Sequence, residues 1–236
     1  MKLVIDFLKL VYTVVVFILV IPFAVVLGVV GIILSFFSKN VAHYAEKIFF
    51  NIILFLVFAR VEVEGVDNVK KGKNYVVIAN HQSAFDIIVL SARLPLQIRW
   101  VSKESVFKIP IIGQFMKAMG YISLPRENVI ESASLLKDKA TKVDGCPTIF
   151  PEGTRSEDGK LQRFKKGFVL LAKHTGLDVL PVVIDGTINI MKKSSLLITP
   201  FVKVKVKVLS PIKNEVVVNN VNIVNEVMGL YYSNLD

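Results

Sequence analysis

Cysteine is nearly absent. Cys146 stands alone among 236 residues, so no disulfide can close within the chain. It precedes Pro147 and a short apolar run with no histidine near it in sequence, and it reads as a small packing residue rather than a nucleophile. No Cys and His residues stand at zinc-ligand spacing, which removes structural zinc modules. No RNA-binding signature and no interleaving of basic with aromatic residues occurs, so no nucleic-acid partner is expected. Ser83 lacks the Gly-x-Ser-x-Gly elbow of a serine hydrolase. Internal repeats and low-complexity linkers are missing too. Acidic residues are scarce, 19 against 29 Lys and Arg, for a formal net charge of +10.

Apolar residues are what the chain has in excess. They make up 53% of it, and the mean hydropathy is +0.57. That is too apolar for an ordinary soluble domain and points to membrane contact. In such a chain the positive charge suits an anionic phospholipid surface or a phosphorylated substrate. Residues 10–37 carry no charge at all and are long enough to cross a bilayer. No small-residue cleavage site closes a short apolar core, so the run does not read as a signal peptide. Pro22, Gly28 and Gly31 interrupt it and predict a kink. A polar break holding His43 and Glu46 follows, then a second helix near 41–58. Residues 1–60 are therefore expected to be a two-helix membrane anchor, with His43 an interfacial residue at its polar corner. Lysines stand on both sides of these helices, so charge gives no orientation, and a span and a hairpin in one leaflet fit equally.

From residue 61 to 236 strand and helix patterns alternate. Strands are expected near 61–64, 74–79, 98–102, 121–124, 147–150, 179–184 and 201–209. Helices are expected near 84–94, 111–118, 128–143, 165–175 and 220–231, with Asn128 and Glu131 capping the third and Gly176 closing the fourth. The fold class is α/β, a mixed β-sheet flanked by helices. Val202, Val204, Val206 and Val208 alternate with Lys203, Lys205 and Lys207, a half-buried strand whose lysine face discourages edge pairing.

Chemistry concentrates after the second of these strands, in Asn80-His81-Gln82-Ser83-Ala84-Phe85-Asp86. An imidazole at a strand end, with a carboxylate in the first turn of the next helix, is a proton-transfer arrangement. The carboxylate holds one ring nitrogen while the other takes a proton. A second reading stays open: Ser83 to Asp86 is also a capping box, and His81 could be an ordinary loop histidine. Downstream, a short strand runs into Pro151-Glu152-Gly153-Thr154-Arg155. Gly153 allows close backbone approach, Thr154 offers a hydroxyl, and Arg155 a planar fork that matches phosphate oxygens. Glu152 would repel phosphate directly, so it is expected to hold Arg155 or bond a substrate hydroxyl. A surface turn with a local Glu–Arg pair is the plain alternative.

Together, the His-x4-Asp motif and Phe150-Pro151-Glu152-Gly153-Thr154-Arg155 resemble the glycerolipid acyltransferase family. The resemblance covers residues 63–184. Trp100 to Lys103 with Ile109 to Gly113 is similar to the segment between the family's first two motifs. Gly120 to Arg126 is similar to the second, with Pro125 where an acidic residue is frequent, and Val179 to Val183 to the fourth. The resemblance implies transfer of a fatty acyl group from a thioester, on acyl carrier protein or coenzyme A, to the 2-hydroxyl of lysophosphatidic acid. It implies His81 as base and Asp86 as its orienter. Arg126 and Arg155 would hold the phosphate, Glu152, Gly153 and Thr154 would shape its loop, and Lys103 is a weaker contact. It also implies the cytoplasmic face of the cell inner membrane. Neither a cofactor nor a metal is expected, since thioester alcoholysis requires a base and an oxyanion donor, for which a backbone N–H near His81 could serve. Glycerol-3-phosphate or another lysophospholipid as acceptor, a Ser83 hydrolase and a non-catalytic anionic-lipid binder are the competing readings.

Overall fold

In the computed structural model, residues 2–125, 136, 138 and 142–235 are described. Arg126, Asn128, Glu131 and most of the helix expected near 128–143 lie outside them. Helix α1 (Lys2–Phe37) is followed by α2 (Lys39–Leu56) and strand β1 (Arg60–Glu64). A short 3-10 turn (Val66–Asn68) leads to β2 (Val76–Ala79), α3 (Phe85–Arg93), β3 (Ile98–Lys103), α4 (Glu104–Phe107), α5 (Ile112–Ala118) and β4 (Ile122–Leu124). Then come β5 (Cys146–Ile149), α6 (Gly167–Thr175), β6 (Val179–Asp185), α7 (Thr187–Ile190), β7 (Lys203–Val208), α8 (Asn214–Asn219) and α9 (Ile223–Tyr232).

The strands form one mixed seven-stranded sheet in the order β1-β7-β6-β2-β5-β3-β4. From β6 to β4 all pairings are parallel, β7 is antiparallel to β6, and β1 is parallel to β7. Strand β2 is the hinge of this topology. The chain leaves it for β3 and β4 on one side, returns to β5, then crosses to β6 on the other. Such a switch point opens a crevice at the carboxyl ends of the strands.

Side-chain alternation gives the sheet two apolar faces. Val77 and Ala79 face a core shared with α1, α2 and α3, whereas Val76 and Ile78 face one shared with α6, α8 and α9. Val16, Ile53, Leu54 and Val57 lie in the first core with Val89, Leu90 and Trp100, so α2 and one face of α1 pack against the α/β body. The lysine strand departs from expectation. It is interior, because β1 covers it, with Glu62 beside Lys205 and Glu64 beside Lys207 in register, and Lys203 Nζ 2.9 Å from Glu62.

Helix α1 runs unbroken through Pro22. It is the one helix among the described residues long and apolar enough to cross a membrane, and its most apolar stretch is mostly exposed. Its two glycines serve as notches. A Cβ on Gly31 would stand 2.6 Å from the Phe115 ring, and one on Gly28 2.9 Å from Ile111. His43 is not interfacial but buried. Its Nδ1 bonds Glu46 Oε2 at 3.1 Å and its Nε2 bonds the Leu96 carbonyl at 3.0 Å. Tyr121 donates its hydroxyl to the other Glu46 oxygen. Lys47 Nζ donates to the Leu94 carbonyl at 2.6 Å. One face of α2 thus binds the peptide carbonyls that follow α3, the helix whose first turn carries Asp86.

Candidate active site

His81 lies just past the carboxyl end of β2, at the switch point. Asn80 puts it there by acting as a substitute peptide: its side chain donates to the Ile184 carbonyl at 2.8 Å and accepts from the Ile184 N–H at 2.9 Å. That carries β2–β6 pairing one step beyond Ala79 and Val182. The His81 backbone is held from both sides. Its N–H donates to Glu152 Oε1 at 2.8 Å, and its carbonyl accepts from the Ser156 N–H at 2.8 Å.

His81 Nδ1 stands 2.8 Å from Asp86 Oδ2. Asp86 is fully buried, and the same oxygen accepts the N–H groups of Gln82 at 2.7 Å and Ser83 at 2.8 Å. Its other oxygen accepts the hydroxyl of Thr187, 101 positions downstream. The capping box is only half formed, since α3 is capped at Ala84 without a side-chain bond; its other half remains, and the carboxylate that satisfies the loop N–H groups also holds the imidazole. With Nδ1 donating to a carboxylate, the Nε2 lone pair is left as the basic site. The N–H groups of residues 81, 82 and 83 are all taken by Glu152 and Asp86, so none of these three is free to serve as oxyanion donor.

The imidazole is also stacked. Phe150 lies parallel to it, centroids 3.8 Å apart at 3°, and Trp100 backs Phe150 at 5.0 Å and 21°. Trp100 donates its Nε1–H to Ser91 Oγ at 3.0 Å, which ties the stack to α3. The stack blocks one ring face and fixes the ring plane.

In the 150–156 loop, Gly153 sits at φ +77°, a conformation that suits glycine. Glu152 is buried and turned away from Arg155, with which it makes no ion pair among the described residues. It accepts the N–H groups of His81 and, at 3.1 Å, Gln162. Burial pushes its carboxyl up to about 7 from the usual 4.5, the two N–H bonds pull it down, and Asp86 adds repulsion. Thr154 is exposed and Arg155 half-buried. Arg155 makes no hydrogen bond or ion pair with a described residue.

His81 opens on a mostly apolar cleft of about 620 Å³. Lys103, Gly153, Lys165 and Lys166 line it on the polar side, and Phe50, Phe115, Tyr121 and Leu170 on the apolar side. Pro125 and Leu136, which bracket the segment holding Arg126, line it too. Phe150 opens the Phe150-to-Arg155 motif, but nothing in the sequence gave it a partner. Lys165, whose Nζ would stand 3.2 Å from a Cβ on Gly153, and Thr187 carried no sequence signal at all.

Ser83 and Cys146, the two alternative nucleophiles, are both fully buried. Ser83 Oγ donates to the Met191 carbonyl at 2.7 Å. Burial pushes the Cys146 thiol up to about 11, against the smaller effects of the Tyr75 N–H bond and Arg99.

The Acyltransferase family model matches residues 60–185. The chain is 34% identical over 180 residues to a chloroplastic 1-acyl-sn-glycerol-3-phosphate acyltransferase of Arabidopsis thaliana, an alignment covering 73% of this chain and 50% of the relative. It is 34% identical over 146 residues to a 1-acyl-sn-glycerol-3-phosphate acyltransferase of Borreliella burgdorferi, covering 61% of this chain and 58% of the relative. The chain thus spans between half and three fifths of the length of these two relatives. The crystal structure of a 1-acyl-sn-glycerophosphate acyltransferase from Thermotoga maritima superposes with a TM-score of 0.84 at 27% identity, covering 97% of this chain and 95% of that one.

Proposed function

The chain belongs to the acyltransferase family, and from that premise we propose that it acylates the 2-hydroxyl of lysophosphatidic acid to give phosphatidic acid. The observation that carries the proposal is the buried Asp86 carboxylate holding His81 Nδ1 while the imidazole lines an apolar cleft with cations at its rim. His81 Nε2 takes the hydroxyl proton as the oxygen attacks the thioester carbonyl. The C–S bond breaks, and the departing thiolate takes that proton back from the imidazolium. The products are the ester and a free thiol, and Asp86 offsets the imidazolium charge in between.

Transfer is direct, because the acceptor hydroxyl is itself the nucleophile and neither Ser83 nor Cys146 is exposed to attack a donor. Arg155, Lys103 and Arg126 are the proposed phosphate contacts, and Thr154 and Gly153 shape the loop. Glu152 serves this loop from behind, through the His81 and Gln162 N–H groups. The donor is an acyl carrier protein or acyl-CoA thioester. The apolar α1 associates the chain with the membrane, and the proposed location is the cytoplasmic face of the inner membrane. The names of the relatives support lysophosphatidic acid over glycerol-3-phosphate.

The test is turnover by the purified full chain with a panel of lysolipids, glycerol-3-phosphate and both donors, products identified by mass spectrometry. Acylation of lysophosphatidic acid at least as fast as of any other acceptor is expected. Turnover of none of them, or free fatty acid as the main product, refutes the reading.

A further inference from the structure

Three residues other than glycine have positive φ among the described residues, Phe58, Ile111 and Phe201, and the two phenylalanines lie together. Helix α2 ends in a paired-bond cap, with Phe58 N–H donating to the Phe55 carbonyl at 2.9 Å and Ala59 N–H to the Leu54 carbonyl at 3.0 Å. The residue that must turn left-handed in such a cap is usually glycine. Here it is Phe58, at φ +51°. The second is Phe201, at φ +61° in the loop before β7, tied to the same cap by its N–H bond to the Val57 carbonyl at 3.3 Å. The two rings stack at 4.8 Å and 19°, and Phe55 adjoins Phe58 at 6.2 Å. None is sheltered: Phe55 is 73% exposed, Phe58 49%, Phe201 76% and the nearby Leu196 70%. Against water, this arrangement is unfavourable twice over, in backbone conformation and in apolar area. Strain held in place at the surface points to use.

The occupant is indicated by what adjoins the patch. Tyr12 of α1 donates its hydroxyl to the Leu56 carbonyl at 2.6 Å, and Thr13 Oγ1 accepts the Ile198 N–H at 2.9 Å. The rings therefore continue the surface of the first turns of α1, where Leu3, Phe7 and Leu8 are each more than half exposed. An apolar patch contiguous with a helix fit for lipid is itself placed for lipid.

We propose that Phe55, Phe58, Phe201 and Leu196 form a second membrane-contacting surface, supplied in part by the 192–202 loop of the α/β body, which seats in the lipid interface beside α1. A single helix leaves rotation about its own axis open. A second contact removes that freedom and fixes how the cleft faces the bilayer. The segment leading into this loop belongs to the site: the Met191 carbonyl accepts from Ser83 Oγ, and Thr187 donates to Asp86.

The inference rests on α1 lying in lipid, which vesicle flotation of the same preparation tests separately and without reference to turnover. Cys146 is fully buried, so a cysteine placed at Phe201→Cys is the accessible one for an environment-sensitive NBD label. The full chain is reconstituted into phosphatidylcholine–phosphatidylglycerol vesicles. Val221→Cys, at a site 88% exposed next to α9 on the other face of the sheet, is the control, and Leu196→Cys guards against misfolding at position 201. Labels at 201 and 196 are expected to be bright and quenched by lipids carrying a nitroxide near the head group, while the label at 221 stays water-like and unquenched. Water-like emission at 201 and 196 in protein that floats overturns the proposal. So does bright emission that lipid nitroxides leave untouched and that rises with protein density, which would make the occupant a second copy of the chain.

Discussion

Glu152→Gln should make the protein more stable at alkaline pH while making it a worse catalyst. The wild-type carboxyl is raised from 4.5 to about 7 by burial. Its charged form is therefore the unfavourable one in the folded state. Stability from this group is fully present below pH 4.5, where both folded and unfolded chains hold the proton. It is lost as pH rises to about 7, because the folded state binds the proton that the unfolded state has released. The raised value corresponds to a loss of about 3 kcal/mol across that window. Glutamine has nearly the same shape and no titration. At pH 4.5 the two chains should unfold at nearly the same temperature, since a carboxylic acid and an amide each face the His81 and Gln162 N–H groups with one good acceptor. At pH 8 the glutamine chain should be the more stable by up to about 3 kcal/mol, several degrees for a chain of this size. Activity should move the other way, by on the order of tenfold, because one of the two N–H bonds that steady the His81 loop is lost. Thermal unfolding in mild detergent from pH 4.5 to 8.5, with turnover measured alongside, tests both. A difference in unfolding temperature that does not change with pH would show that Glu152 is not the desolvated acid described, and the argument would fall.

Asp86→Asn should lower kcat by roughly 10²–10⁴ with near-normal folding, since Thr187 can accept from the new amide while the imidazolium loses its counter-charge; circular dichroism and kcat decide. Phe150→Leu should reduce kcat with KM for both substrates little changed, and Phe150→Trp should restore much of it; equal activity of the leucine chain would reduce the stack to packing. Arg155→Lys should raise KM for a phosphate-bearing acceptor far more than for the donor, because a point charge cannot reproduce a planar fork, and equal losses with a phosphate-free acceptor would count against the clamp. Deleting residues 1–59 should abolish folding rather than release a soluble enzyme. Val16, Ile53, Leu54 and Val57 are buried in the shared core, at about 1.5–3 kcal/mol each, a sum comparable with the roughly 5–15 kcal/mol that holds a whole domain together. A monomeric, cooperatively melting truncation would refute this.

The strands were legible because each is a short apolar or alternating run closed by Gly, Pro or a charged turn, and all seven appear near their expected positions. Their order was harder to read. The pairing of β1 with β7 joins positions roughly 140 apart, yet its trace is there in hindsight: Glu62 and Glu64 on one strand complement Lys205 and Lys207 on the other. The His81–Asp86 pair was readable because both residues lie on one strand-to-helix turn. What surrounds them was not. Thr187, Phe150 and Gln162 reach the site only through the crossovers, and no local pattern encodes a hydroxyl aimed at a carboxylate across the sheet. The partners of Glu152 were hidden for the same reason, being backbone groups brought in from elsewhere. His43 and the polar face of α2 read as a membrane rim because the carbonyls they bind, at Leu94 and Leu96, lie some fifty positions away.

The notches at Gly28 and Gly31 carry a mechanical consequence. Phe115 fills one, and Ile111, just ahead of α5, fills the other; Phe115 is also part of the cleft wall. The long apolar helix and a wall of the cleft therefore meet in a close-packed joint. Whatever changes the tilt of α1 acts on that wall as well. Most glycines on a lipid-facing helix can be exchanged for alanine without disturbing anything but the lipid. At Gly31 an added methyl would meet the ring of Phe115, itself part of the cleft wall, at 2.6 Å.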